Sequence, residues 1–166
     1  MGRALSARLS SWSHWLTAAR PATLSAAVAP VLVGTALAAG EGELRPLVFA
    51  ATLAAALLIQ IGANLANDLF DYERGADTAE RLGPPRVTQS GLIPPEQVRA
   101  TTYLSFGGAA VIGLYLVFVG GWPILAIGVV SIAAGLAYTR GPWPQRYHRL
   151  GDLYVFIFFG LAAVLG

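Results

Sequence analysis

Long apolar stretches alternate with short polar segments along the whole chain. Stretches without any Asp, Glu, Lys, Arg or His cover Ala22–Gly40, Pro46–Asn67, Ala100–Thr139 and Leu153–Gly166. Since roughly 20 apolar residues span the hydrocarbon core of a bilayer, the first two stretches each predict one membrane-crossing helix. The third is long enough for two helices, and Gly120-Gly121-Trp122-Pro123 predicts the turn between them.

The fold class predicted from this pattern is all-α, a polytopic transmembrane helix bundle with four full helices and the start of a fifth. Hydrophobic residues make up 55% of the chain and charged residues 12%, about half the charged fraction of a soluble domain. The last apolar stretch is shorter than a full span and has no polar flank. We therefore expect residues 1–166 to be the N-terminal part of one transmembrane domain in a longer protein.

Residues 1–20 do not resemble a signal peptide, because they lack an apolar core. Leu5, Leu9, Trp12 and Leu16 recur at helical spacing, which predicts a short interfacial helix lying on the membrane surface. The alternative is an ordered tail with no further role.

The distribution of arginine predicts the topology. All eleven basic residues are arginine, and the chain has no cysteine, which excludes disulfides and thiol chemistry. If the helices alternate in direction, ten arginines fall on one side and only Arg45 on the other. Positive charge accumulates on the cytoplasmic side of membrane proteins. We therefore expect a multi-pass protein of the cell membrane with a cytoplasmic loop at 67–99. Its expected partner is the lipid bilayer, and no nucleic-acid partner is expected.

The densest polar segment is NDLFDYERGAD, residues 67–77, where the second apolar stretch ends. On a helix, Asn64, Asp68 and Asp71 follow the spacing i, i+4, i+7 and share one face. Asn67 and Asp71 are also neighbours on the helix surface. The helix is therefore predicted to end by presenting two carboxylates and amide groups together.

Gly75 is expected to end this helix, so that Asp77 folds back towards the same place. Clustered carboxylates repel one another and need either protons or a cation. Mg²⁺ is the cation that fits, because it prefers oxygen ligands and commonly shares them with substrate phosphates. The alternative, a solvated loop at the membrane edge, does not account for Asn64, which lies one turn deeper in the apolar helix.

Basic and hydroxyl side chains follow in ERLGPPRVTQSGLIPPEQV, residues 80–98. Arg81 and Arg86 flank a rigid Gly-Pro-Pro turn, and Thr88, Gln89 and Ser90 supply short hydrogen-bonding groups. Guanidinium groups bind phosphate oxygens in a bidentate manner, so this pattern predicts a diphosphate beside the carboxylates. Anchoring to lipid headgroups is the alternative for both arginines.

These motifs resemble those of the UbiA-type intramembrane aromatic prenyltransferases, and within them the 1,4-dihydroxy-2-naphthoate branch of menaquinone synthesis. The resemblance is carried by ARPATLSAAVAPVLVGTALA, by QIGANLANDLFDYERGADTAERLGPPRVTQSGLIPPEQV and by LAYTRGPWPQRYHRLGDLYVFIFFG. Together these segments cover nearly the whole chain.

The resemblance implies a nine-helix bundle, of which this chain supplies about half, with two Asp-rich loops that bind a polyprenyl diphosphate through Mg²⁺. By position, Asn67, Asp68, Asp71 and Asp77 form the first of these motifs. The spacing from Asp71 to Asp77 is two residues longer than the general family pattern, which favours the naphthoate branch. The second motif is absent from residues 1–166, so we expect this segment alone to be inactive.

Two further residues have open roles under this resemblance. The ring face of Tyr138 is suited to shielding an allylic cation, but a Tyr at this position also serves as an interfacial anchor. Arg140 is suited to binding diphosphate, and anchoring at the cytoplasmic surface is its alternative.

The resemblance therefore implies an Mg²⁺-dependent transfer of a polyprenyl group to 1,4-dihydroxy-2-naphthoate, giving demethylmenaquinone. A prenyltransferase for homogentisate or 4-hydroxybenzoate is the alternative within the same class. Outside that class stand an inactive fragment and a small transporter subunit, but transport calls for ionisable groups at mid-bilayer depth, and the apolar stretches contain none.

Overall fold

The computed structural model describes residues 12–75 and 86–140, and these residues form five helices. The described part of α1 is 12–19; the others are α2 (Pro21–Gly40), α3 (Pro46–Glu73), α4 (Pro95–Gly120) and α5 (Trp122–Arg140). No strand occurs within those two ranges. The all-α prediction is confirmed, and α2 to α5 correspond to the four full helices. The start of the predicted fifth apolar helix, at 153–166, lies outside the described residues.

Proline and glycine set the helix boundaries, as the sequence pattern predicts. Pro21, Pro46 and Pro95 each occupy the first helical position, where a missing backbone N–H costs nothing and the fixed φ suits the helix. Gly121 adopts a φ of 80° and separates α4 from α5. Gly75 adopts a φ of 60° directly after the C-cap of α3, so the predicted end of the acidic helix is confirmed.

Three of the helices, α2, α3 and α4, are long and apolar enough to cross a membrane. The chain is therefore built as a multi-pass membrane protein. The 28 residues of α3 exceed the apolar stretch that predicts it, because the helix continues through the first half of the acidic segment. The polar region predicted as a loop at 67–99 accordingly begins and ends in helix.

Helix α3 occupies the centre of the described bundle and contacts α2, α4 and α5. Gly62 allows a close approach to α4, since a Cβ atom at this position would lie 3.1 Å from the ring of Phe106. Small residues at such crossings let transmembrane helices pack closely where no hydrophobic effect drives their association.

A buried apolar cluster lies around the end of α3 that carries the acids. Its members come from α1, α3, α4 and the turn before α4: Ala18, Leu65, Leu69, Val87, Ile93 and Val98. Trp15 packs against this cluster, whereas Trp12 and Leu16 are exposed. The described part of the N-terminal segment is thus helical with one face packed on the bundle, and its place on the membrane surface stays a prediction.

Candidate functional site

Three polar side chains share one buried face at the end of α3. The exposed fractions of Asn64, Asp68 and Asp71 are 5%, 3% and 3%. Burial of charged carboxylates is costly unless they are paired or hydrogen-bonded, so each needs a partner. Asn67, on the same two helical turns, is half-buried.

Asp68 obtains its partners from the backbone of the turn that precedes α4. The N–H of Val87 donates to Oδ2 and the N–H of Thr88 donates to Oδ1, each at 3.1 Å. The turn is also closed by its own hydrogen bonds, because Ser90 N donates to Arg86 O and Leu92 N donates to Val87 O. Asp68 thereby fastens residues 86–93 onto α3.

Asp71 forms a buried ion pair with Arg86, in which Nη2 donates to Oδ2. Removing one partner of such a pair leaves a buried charge without its counter-charge, which is strongly destabilising. The two carboxylates and the one guanidinium leave a net charge of −1 among these three side chains. Taken by themselves, these three described side chains therefore attract a cation.

Asn64 connects the acidic face of α3 to the junction between α1 and α2. Its Nδ2 donates to Ala19 O at 2.9 Å and to Thr23 Oγ1 at 2.8 Å. Arg20, between these two partners, has a left-handed backbone with φ 52°, a strained conformation for a non-glycine residue. The sequence placed Asn64 on the acidic face but gave no signal for Thr23, because the contact joins residues 41 positions apart.

The hydroxyl and amide side chains predicted as donors after Arg86 differ in their burial. Thr88 is buried, whereas Gln89 and Ser90 are exposed. The hydroxyl of Ser90 donates to Arg86 O at 2.7 Å and so belongs to the turn itself. The structure therefore brings Thr88, rather than Gln89, next to the carboxylates.

Four predicted site residues are not placed by the structure. Asp77 and Arg81 lie outside the described residues. Tyr138 and Arg140 belong to the last turn of α5, and only the backbone is described there.

The donor set at the end of α3 fits Mg²⁺. Within residues 12–75 and 86–140, no three His, Cys, Asp or Glu side chains converge on a metal-sized site. Mg²⁺, however, is usually held by one or two carboxylates together with substrate phosphates and water. A carboxylate offers about four lone-pair positions, and the two hydrogen bonds to Asp68 leave acceptor capacity on both of its oxygens.

Comparison with known proteins places this geometry in a family. The UbiA prenyltransferase family model matches residues 27–166. The 1,4-dihydroxy-2-naphthoate octaprenyltransferase of Escherichia coli (strain K12) is 39% identical over 168 residues, covering 96% of this chain and 54% of the relative. The proteins of the same name from Mycobacterium tuberculosis (strain ATCC 25618 / H37Rv) and Bacillus subtilis (strain 168) are 39% and 38% identical, covering 95% and 88% of this chain.

The chain spans about half the length of the curated relatives it matches, 54%, 54% and 47% of these three. The match nevertheless extends over α2 to α5 and includes both the acidic end of α3 and the turn that Asp68 holds. On this evidence the chain belongs to the UbiA prenyltransferase family.

Proposed function

We propose that the complete protein transfers a polyprenyl group from a polyprenyl diphosphate to 1,4-dihydroxy-2-naphthoate, giving demethylmenaquinol, the reduced form of demethylmenaquinone. Three relatives that are 38–39% identical to this chain over most of its length are named for this activity. The observation that supports it most directly is the buried group of Asp68, Asp71 and Arg86, which joins carboxylates for a metal with a guanidinium for phosphate.

Mg²⁺ is the proposed cofactor, with Asp68, Asp71 and Asp77 as its protein ligands. When bound, it neutralises negative charge on the diphosphate as this group departs. The N–H groups of Val87 and Thr88 orient the carboxylate of Asp68, and the guanidinium of Arg86 orients that of Asp71, so that both would be positioned to hold the metal.

Arg86, which pairs with Asp71, is proposed to contact the diphosphate as well when the substrate binds. A guanidinium presents five N–H donors in a planar fork, so it can contact diphosphate oxygens beside Asp71. The further substrate-binding residues that we propose are Asn64, Asn67, Arg81, Gln89 and Arg140.

The chemistry follows from the charges at this site. The bond between the prenyl carbon and the diphosphate oxygen breaks, and its electron pair leaves with the diphosphate. The electron-rich naphthoate ring attacks the resulting allylic cation, and the ring carboxylate leaves as carbon dioxide. Tyr138 is proposed to face the cation with its ring, and the apolar helices keep water away from it.

The proposed location is the cell membrane, with the turn 86–93 and the acidic end of α3 on the cytoplasmic side. The distribution of arginine supports this orientation, because ten of the eleven fall on that side.

The function is tested with the complete protein in lipid nanodiscs, supplied with Mg²⁺, a polyprenyl diphosphate and 1,4-dihydroxy-2-naphthoate. We expect prenylated product from the wild type, and at least tenfold weaker diphosphate binding in Asp68→Asn and Asp71→Asn, about 1.4 kcal/mol. Glu73→Gln is the matched control, since Glu73 belongs to the same helix end but is exposed and pairs with Arg99. Affinity that persists in EDTA refutes the metal assignment, and product from homogentisate or 4-hydroxybenzoate instead refutes the acceptor.

A further inference from the structure

Thr88 has an unusual combination of burial and unmet hydrogen bonding. Its exposed fraction is 3%, and within the described part of the chain its Oγ1 is buried without any hydrogen-bond partner. A buried hydroxyl without a partner destabilises the folded state, and most buried polar groups in proteins are satisfied. Such a group is expected where a ligand supplies the missing partner.

Thr102, which is buried, and Thr23, which is half-buried, behave differently. The hydroxyl of Thr102, buried at 6%, donates to Val98 O at 2.8 Å. The hydroxyl of Thr23 donates to Arg20 O and accepts from Asn64. Both of these threonines, and Ser90 in the same turn as Thr88, reach a local backbone acceptor, whereas the hydroxyl of Thr88 reaches none among the described residues.

The position of Thr88 is fixed by the same contacts that form the site. Its N–H donates to Asp68 Oδ1, and it follows two residues after Arg86. The adjacent Val87 is fully buried in the apolar cluster, which fixes the orientation of the backbone at Thr88. The backbone of Thr88 is therefore held against the carboxylate of Asp68, two residues after the guanidinium-bearing Arg86, and its hydroxyl is buried at this end of α3.

We propose that Thr88 is a substrate-binding residue whose hydroxyl donates a hydrogen bond to a diphosphate oxygen of the substrate. This inference rests on the proposed function and adds to it a neutral donor, which recognises phosphate oxygen without adding charge. A donor of this kind stabilises the bound diphosphate and does not compete with Mg²⁺ for the carboxylates, as a further arginine would.

The test compares Thr88→Val and Thr88→Ser in the complete protein in nanodiscs with Mg²⁺. Binding is measured with inorganic diphosphate and with a non-reactive prenyl thiolodiphosphate, and Tm is measured without ligand. We expect Thr88→Val to weaken both probes about tenfold while its Tm is equal to or above that of the wild type. Thr88→Ser, which retains the hydroxyl, is expected to bind within about twofold of the wild type. Thr102→Val is the control for removing a buried hydroxyl, and its affinity is expected to be unchanged.

The outcomes distinguish this proposal from the proposed function. A wild type that does not bind prenyl thiolodiphosphate refutes the proposed function itself. A wild type that binds, with a Thr88→Val variant that binds equally well, refutes only the role of Thr88. Weakening confined to the prenyl probe also refutes it, because the contact would then lie along the hydrocarbon tail. A fall in ligand-free Tm for Thr88→Val would assign the hydroxyl to folding instead.

Discussion

Removal of the Asp68 side chain should release the turn 86–93 from α3 even when no metal or substrate is present. Asp68 accepts the N–H groups of Val87 and Thr88, one on each carboxylate oxygen. A hydrogen bond to a charged group contributes about 1.5–3 kcal/mol. Taking the lower value for each bond, we expect Asp68→Ala to reduce the opening free energy of the turn by about 3 kcal/mol, a factor of about 100.

Amide hydrogen exchange measures this quantity directly, because exchange of a buried N–H follows the equilibrium for local opening. We expect peptides that contain Val87 and Thr88 to exchange about 100-fold faster in Asp68→Ala, with EDTA present throughout. Asp68→Asn keeps one acceptor oxygen and should give an intermediate increase of about tenfold.

Glu73→Gln is the matched control, because it alters an exposed carboxylate at the same helix end and leaves both the acceptors of Asp68 and the pair of Asp71 with Arg86 in place. Its amides at Val87 and Thr88 should exchange at nearly the wild-type rate. Equal protection in wild type, Asp68→Asn and Asp68→Ala would show that the turn is held by its apolar contacts and by the pair of Arg86 with Asp71, and the assigned role of Asp68 would be wrong.

Two further predictions concern topology and packing. The chain has no cysteine, so a single introduced cysteine reports its own position. Glu96→Cys, at an exposed position in the first turn of α4, should react with a membrane-impermeant maleimide only after cells are opened. Labelling of intact cells would reverse the predicted orientation. Gly62→Leu should lower Tm, because a side chain there meets the ring of Phe106 and overpacking costs about 1–3 kcal/mol. Gly107→Leu is the control, because Gly107 is exposed and has nothing within 4 Å of an added Cβ, so its Tm should be unchanged. An equal fall in Tm in both variants would contradict the close contact of α3 and α4.

The helices were predictable because their signals are local. Uncharged stretches of membrane-spanning length gave α2, α3 and α4, and Gly121 marked the break before α5. The shared face of Asp68 and Asp71 likewise followed from helical periodicity alone. Hydropathy did not show how far α3 extends past the apolar stretch, because it reports the thickness of the bilayer rather than the extent of hydrogen-bonded backbone. Gly75, however, correctly marked the end of the helix.

The contacts that complete the site were not predictable, because they join distant segments. The backbone N–H groups that bind Asp68 lie 19 and 20 residues further along the chain. Outside regular structure, no periodicity tells which of three consecutive polar residues is buried, so Thr88 could not be separated from Gln89. The partners of Asn64 depend in turn on the left-handed backbone at Arg20, which no residue preference at that position indicates.

The length of α3 determines the depth at which the acids lie. At 1.5 Å per residue, the stretch 46–66 is about 31 Å long, close to the thickness of the hydrocarbon core, and 67–73 adds about 10 Å. The last two turns therefore stand at the level of the lipid phosphates. A substrate with a hydrocarbon tail and a diphosphate head already has its head at this level, so it can reach the site by lateral diffusion without leaving the bilayer. Activity should then depend on acyl-chain length, because a thicker membrane would draw the carboxylates below the plane in which the diphosphates travel.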